Sequence, residues 1–138
     1  MSAVSVTFGR YEIDGPNSAK GAYRYIFTPI TLSAVEEAIQ HNTHLIIDVR
    51  EPEEFALGHI ENALNVPRGV LEFRTDTAYP GAIKSLLDKT EKIVLYCRSG
   101  GRSALAAQSL ANMGYQSVVS MAGGFIAWEE AKLPVSFN

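Results

Sequence analysis

Helical spacing and short apolar runs alternate along the chain. From Thr31 to Gln40, Leu32, Val35 and Ile39 recur on one helical face, so the spacing predicts a helix. Ser33 and Glu36 form a candidate capping box for it, with Thr31 as the competing cap. His41-Asn42 breaks the pattern, and Leu45-Ile46-Ile47 opens a strand ending at Asp48-Val49-Arg50. Glu51-Pro52-Glu53-Glu54-Phe55 reads as a short helix, because Pro52 suits a first turn and Glu53 and Glu54 sit where free amides favour negative charge. Gly58 closes it. Ala63 to Val66 is expected as a short strand before Pro67, and Arg68 to Thr77 as an excursion holding a turn of helix.

A helix is expected over Gly81 to Asp88, then a strand over Lys92 to Tyr96 and, after a loop from Cys97 to Arg102, a helix from Ser103 to Met113 stopped by Gly114. Ser117 to Ser120 reads as a further strand. Met121 to Gly124 then turns into a helix over Phe125 to Lys132, which Pro134 ends. Before all this, Val4, Val6 and Phe8 alternate as a short strand would, and Gly9 to Tyr25 reads as a loop or packed arm. Residues 1–27 are therefore expected as an amino-terminal arm or accessory strand, and residues 28–138 as one domain. Short strands alternating with helices imply an α/β fold with a central, mostly parallel sheet covered on both faces.

Composition narrows the class. A chain of 138 residues suits one domain, and 46% hydrophobic with 20% charged residues is ordinary for a globular protein. Cys97 is the single cysteine, which excludes an intramolecular disulfide and a multi-thiolate metal site. That usage points to a reducing cytoplasm. The net charge of −3 offers no basic nucleic-acid surface, and neither a secretory leader nor a membrane span is expected. The charge is uneven, however: Ile93 to Trp128 holds Arg98 and Arg102 and no acidic residue, a local +2 in an acidic protein. Both cations stand close to the cysteine.

The chemistry concentrates in Cys97-Arg98-Ser99-Gly100-Gly101-Arg102-Ser103, between a strand and a helix. In a parallel sheet, ligands bind beyond the carboxyl ends of strands, where the next helix points its amino terminus at them. Gly100 and Gly101 let backbone amides converge into an anion cradle. A thiolate there, beside Arg98 and Arg102, has its pKa lowered and attracts anionic sulfur donors. An isolated strand-end cysteine is more often packing than chemistry, and the two arginines, the glycines and the helix start reverse that balance. Arg102 is the stronger candidate for an oxyanion clamp, with Arg98 at the pocket mouth. Ser99 and Ser103 offer hydroxyl bonds, and Ser103 also suits a helix cap. Gly123-Gly124 alone permits no more than close passage of strand and helix. His41 and His44 lack partners for a metal, and His59 reads as a structural hydrogen-bonding residue. No cofactor and no metal are required by this chemistry.

With these residues in place, the chain resembles a single-domain rhodanese, a thiosulfate sulfurtransferase-like protein. The likeness is carried by Asp48-Val49-Arg50 with Glu54-Phe55 and Gly58-His59-Ile60, by Ala63-Leu64-Asn65-Val66-Pro67, and by Cys97 to Ser103 followed by Gly123-Gly124-Phe125 and Trp128. The resemblance implies a three-layer α/β sandwich with helices on both faces of a mostly parallel sheet. It implies Cys97 as the nucleophile that accepts sulfane sulfur as a persulfide. Arg98, Ser99, Gly100, Gly101, Arg102 and Ser103 are then the donor-binding loop, and Asp48, Arg50 and His59 give structural support. The partners implied are a small anionic sulfur donor and a thiol, cyanide or protein acceptor. Asn62 departs from the family's usual glycine, and asparagine tolerates a left-handed backbone. Related cysteine phosphatases place one residue more between cysteine and arginine than the four that separate Cys97 from Arg102. A phosphatase or arsenate reductase, and a noncatalytic interaction module, are the competing readings.

Overall fold

The computed structural model describes residues 11–12, 24–25 and 29–138. In chain order the elements are β1 (Tyr11–Glu12), β2 (Arg24–Tyr25), α1 (Leu32–Gln40), β3 (Leu45–Asp48), α2 (Pro52–Ala56), β4 (Leu64–Asn65), α3 (Leu71–Arg74), β5 (Lys92–Tyr96), α4 (Gly101–Asn112), β6 (Ser117–Ser120) and α5 (Gly124–Glu130). Single 3-10 turns lie at Arg68–Val70 and Lys84–Leu86. β1 and β2 pair antiparallel, with Tyr11 opposite Tyr25, in a small sheet of their own. The strand expected from Val4, Val6 and Phe8 lies outside the described residues.

The main sheet runs β4-β3-β5-β6, and every pairing in it is parallel. From β3 the chain steps outward to β4, then returns to place β5 on the opposite side of β3. The carboxyl ends of β3 and β5 therefore flank the point where strand order reverses, which is where open parallel sheets place their ligands. Ile30 adds one parallel bridge at Met121, beyond β6.

Both faces are covered, as the apolar runs of β3 and β5 require. Side-chain alternation sends Ile46, Val94 and Tyr96 to one face, where Val35 of α1 and Phe125 and Trp128 of α5 pack on them. Ile47, Ile93, Leu95 and Cys97 face the other way, against Ala106, Ala107 and Leu110 of α4 together with Leu86 and Tyr115. The alanines of α4 let that helix approach the sheet closely. Cys97 thus continues the β5 alternation and lies between sheet and α4.

Several boundaries differ from the expectations. Thr31, not the Ser33 and Glu36 pair, caps α1: its extended backbone lets its Oγ1 accept from the Ala34 amide at 3.2 Å, whereas Ser33 already lies inside the helix. The capping box forms instead at α2, where the Glu51 amide donates to the Glu54 carboxylate at 2.9 Å. The helix expected over Gly81 to Asp88 is only the Lys84–Leu86 turn. Only Leu86 of that turn is buried, the Ile83 amide is tied to the Arg74 carbonyl at 2.8 Å, and an Asp88 turn to Thr90 follows at once, so too little length remains to offset helix nucleation. α4 starts at Gly101 rather than Ser103, and α5 runs from Gly124 and stops at Glu130, with Lys132 in left-handed backbone at φ 61°. Asn62 is left-handed as well, at φ 68°. No helix among the described residues is long and apolar enough to cross a membrane.

Candidate active site

The loop between β5 and α4 wraps the Cys97 sulfur in its own backbone. Gly100, left-handed at φ 110°, turns the chain back so that its amide donates to Cys97 Sγ at 3.1 Å, and the Ser103 amide donates at 3.4 Å. Ser103 Oγ stands 3.5 Å from the sulfur, 3.3 Å from the Gly100 carbonyl and 2.7 Å from Ser120 Oγ. Cys97 is only 1% exposed. Burial pushes its thiol up, but the Ser103 hydroxyl and the amides of Ser103, Gly100 and Ser99 outweigh it, so the pKa lies below the ordinary thiol value. Hydrogen bonding to the charged form, not a histidine base, favours the thiolate here.

The outer side of the loop is pinned by α5. The Phe125 amide donates to the Cys97 carbonyl at 2.8 Å and the Ile126 amide to the Arg98 carbonyl at 3.1 Å. Gly124, left-handed at φ 65°, sits so close that a Cβ there would overlap the Arg98 carbonyl. Close passage is thus the physical content of Gly124, while Gly123, left-handed at φ 73°, turns the chain into α5.

Arg98 and Arg102 part ways. Arg98 is exposed and lines a cavity of about 200 Å³ together with Arg50, Glu54, Leu57, Phe125, Ile126 and Glu129. Arg102, expected as an inward clamp, instead directs its guanidinium fork at Glu54, at 2.9 and 3.1 Å. That bond holds the Glu54 carboxyl down at about 2. Glu54 is presented by its own capping box at the start of α2, which explains why the fork finds it. Ser99 is exposed on the loop and Gly101 is exposed at the first position of α4.

The end of β3 supplies rigidity. The buried Asp48 carboxylate accepts from the Arg50 amide at 2.9 Å and from its guanidinium at 2.7 to 3.0 Å. Arg50 also donates to the Gly58 carbonyl at 2.7 Å and lies over the Phe125 ring, 4.3 Å from its centroid. One guanidinium thereby ties β3, the turn after α2 and the start of α5 together. His59 stacks on Phe55 at 3.6 Å, its Nδ1 donates to the Phe55 carbonyl, and its backbone pairs with Ser136. It makes no hydrogen bond to Cys97. His41 and His44 lie on the α1–β3 connection, at the opposite end of β3, and among the described residues no group of three potential ligands could hold a metal ion.

Three contributors escaped the sequence reading: Glu54 as the partner of Arg102, Ser120 behind Ser103, and Tyr96, whose hydroxyl accepts from the Ile60 amide at 3.0 Å. The signal for Ser120 was present, as a polar residue ending a β-branched strand. The i,i+3 relation of Glu54 to Glu51 signalled the capping box, not the pairing with Arg102.

Against this geometry, a family model described as the rhodanese-like domain matches residues 31–131. The chain belongs to the rhodanese family. Its relatives include thiosulfate sulfurtransferase 16, chloroplastic, of Arabidopsis thaliana, 34% identical over 109 residues that span 74% of this rhodanese and 91% of the relative. Protein HIGH ARSENIC CONTENT 1, mitochondrial, of the same plant is 38% identical over 94 residues, 64% of this chain. The match covers 54% of that relative, so this rhodanese spans about half its length. Among solved structures, a Rhodopseudomonas palustris protein of unknown function, described as a possible tyrosine phosphatase, superimposes with a TM-score of 0.73 at 33% identity, covering 78% of this chain and 83% of its own. Fold and family agree with the expected α/β sandwich, and the family is of sulfurtransferase type.

Proposed function

We propose that this rhodanese moves sulfane sulfur from thiosulfate or a related small anionic donor to a thiol, cyanide or protein acceptor through a persulfide on Cys97. The observation that carries the proposal is the Cys97 sulfur held by the Gly100 and Ser103 amides at the carboxyl end of β5, with its pKa lowered. In the first displacement the thiolate attacks the outer sulfur of the donor. A new S–S bond forms, the donor's S–S bond breaks, and sulfite leaves with the electron pair. In the second, the acceptor attacks the outer persulfide sulfur and the Cys97 thiolate leaves with its pair, so the cycle needs no external oxidant, cofactor or metal. Loop amides and a cation bear the negative charge in both steps. Arg98, exposed beside the cavity, is the cation placed to meet an arriving donor; Arg102 takes that role only by sharing its fork with Glu54. Residence in a reducing cytoplasm belongs to this proposal, supported by the single cysteine, while two relatives bear mitochondrial and chloroplastic names.

A second reading, phosphatase or arsenate reductase, draws on the descriptions of HIGH ARSENIC CONTENT 1 and the Rhodopseudomonas protein. The four residues between Cys97 and Arg102 weigh against it, because a shorter ring of amides suits one sulfur atom better than a tetrahedral oxyanion. Intact-protein mass spectrometry separates the readings. Reduced protein treated with thiosulfate and desalted is expected to gain about 32 Da at Cys97, reversed by cyanide or dithiothreitol. Cys97→Ser is expected to fold and to gain nothing. Absence of a reversible adduct with any sulfane donor, with aryl phosphate hydrolysed or arsenate reduced instead, overturns the proposal. Anion binding without adduct or turnover points to a noncatalytic module.

A further inference from the structure

Ser120 closes β6 and is 2% exposed. The parallel register sets it opposite Leu95, so it shares the sheet face of Leu95 and Cys97 and looks toward α4. Its hydroxyl lies 2.7 Å from Ser103 Oγ and makes no other hydrogen bond among the described residues. A serine hydroxyl has one proton to give and two lone pairs to accept with. Ser103 has three neighbours for its oxygen: Ser120 Oγ, the Gly100 carbonyl and Cys97 Sγ. If Ser103 donated to Ser120, the buried Ser120 proton would face no acceptor, and the sulfur would lose the hydroxyl donor beside it. Leaving a buried donor unmet is costly, so the reverse direction is favoured.

We propose that Ser120 is a positioning residue that donates to Ser103 Oγ and so keeps the Ser103 proton directed at the Gly100 carbonyl and Cys97 Sγ, the sulfur receiving it when it bears negative charge. The inference rests on Cys97 as the nucleophile of the proposed sulfurtransferase, but its test reads the sulfur's charge and not sulfur transfer. Arg98 in the loop, Arg102 with Glu54 from α4 and α2, and Asp48 at the end of β3 with Arg50 just beyond it are the charged groups around the site, and the substitutions leave all of them in place.

Because Cys97 is the single thiol, its thiolate is followed by ultraviolet absorbance and by iodoacetamide alkylation. Ser120→Ala is expected to shift the thiol titration upward and to slow alkylation at neutral pH roughly threefold, the size of one modest hydrogen bond. In a Ser103→Ala background the same substitution is expected to change neither, since Ser120 acts only through Ser103. An unchanged titration in S120A, or an equal effect in both backgrounds, overturns the proposal. A measurement on the unmodified protein covers the case of a variant that does not fold. The shielded Ser120 hydroxyl proton, followed by NMR, is expected to move as Cys97 titrates, and a resonance that stays fixed refutes the relay. Loss of the thiosulfate adduct alone leaves these outcomes standing.

Discussion

Two helices of this protein begin in the same way and do different work. α4 and α5 each start from a left-handed glycine, Gly100 at φ 110° and Gly123 at φ 73°, and each has free amides in its first turn. Around the start of α4, the Gly100 and Ser103 amides are aimed at the Cys97 sulfur. At α5, the amides of Phe125 and Ile126 are spent on the Cys97 and Arg98 carbonyls. One helix start addresses the Cys97 sulfur and the other holds that sulfur's loop rigid. The local device is shared, and what it serves depends on whether a side chain or a carbonyl lies opposite.

Glycine substitutions break this comparison most sharply. Gly124→Ala is expected to cost about 3 to 5 kcal/mol in chemical denaturation, because a Cβ meets the Arg98 carbonyl and the backbone is left-handed. The proposed sulfur transfer should fall with it. Gly101→Ala, where nothing lies within 4 Å of the new Cβ, is expected to stay within about 0.5 kcal/mol of the unmodified protein. Equal costs at the two sites would show that α5 does not pin the loop.

Removing a hydroxyl at the first helix start tests its chemistry. Ser103→Ala is expected to raise the Cys97 thiol toward its ordinary value, read as an upward displacement of the pH profile for alkylation. The sign follows from an acid whose folded-state pKa is lowered: the thiolate, and the stability it adds, grow as pH rises through that value and are lost below it. A profile that moves downward would mean that Ser103 opposes the thiolate.

The smallest effect belongs to the ion pair joining α2 to α4. Glu54 is depressed to about 2, so its stabilisation is present above the ordinary carboxylate value of 4.5 and is lost as pH falls from there toward 2. The Arg102 and Glu54 side chains are 37% and 31% exposed, and solvent screening holds their worth below about 1 kcal/mol. Glu54→Gln should therefore leave the melting temperature nearly unchanged at neutral pH while freeing Arg102, and thiosulfate KM should fall. A raised KM would place Glu54 among the groups that hold the loop open to the donor.

Much of this arrangement was legible in the chain. The run Ile93-Val94-Leu95 demanded a strand covered on both faces, and β5 lies between β3 and β6. Cys97, the two loop glycines and an alanine-rich helix in succession were enough to locate the loop. The reading failed at Gly81 to Asp88, where the expected helix is a single turn whose preceding residue, Ile83, is held by the Arg74 carbonyl. It also stopped short of the partners of charged and hydroxyl groups: nothing near Arg102 in sequence indicates Glu54, forty-eight residues away.

The sequence by itself determined the alternation of strands and helices from α1 through β4 and from β5 through α5, the left-handed tolerance of Asn62, and the place of Cys97 at a strand end. These depend on interactions among residues within a turn or two, which periodicity and backbone sterics record directly. Only the tertiary structure decided that Arg102 turns to Glu54, that Arg50 reaches the Gly58 carbonyl, and that Ser120 lies behind Ser103. Those choices follow from strand register and helix placement, which bring distant segments within hydrogen-bond reach, and a hydrogen bond forms or fails over a few tenths of an ångström.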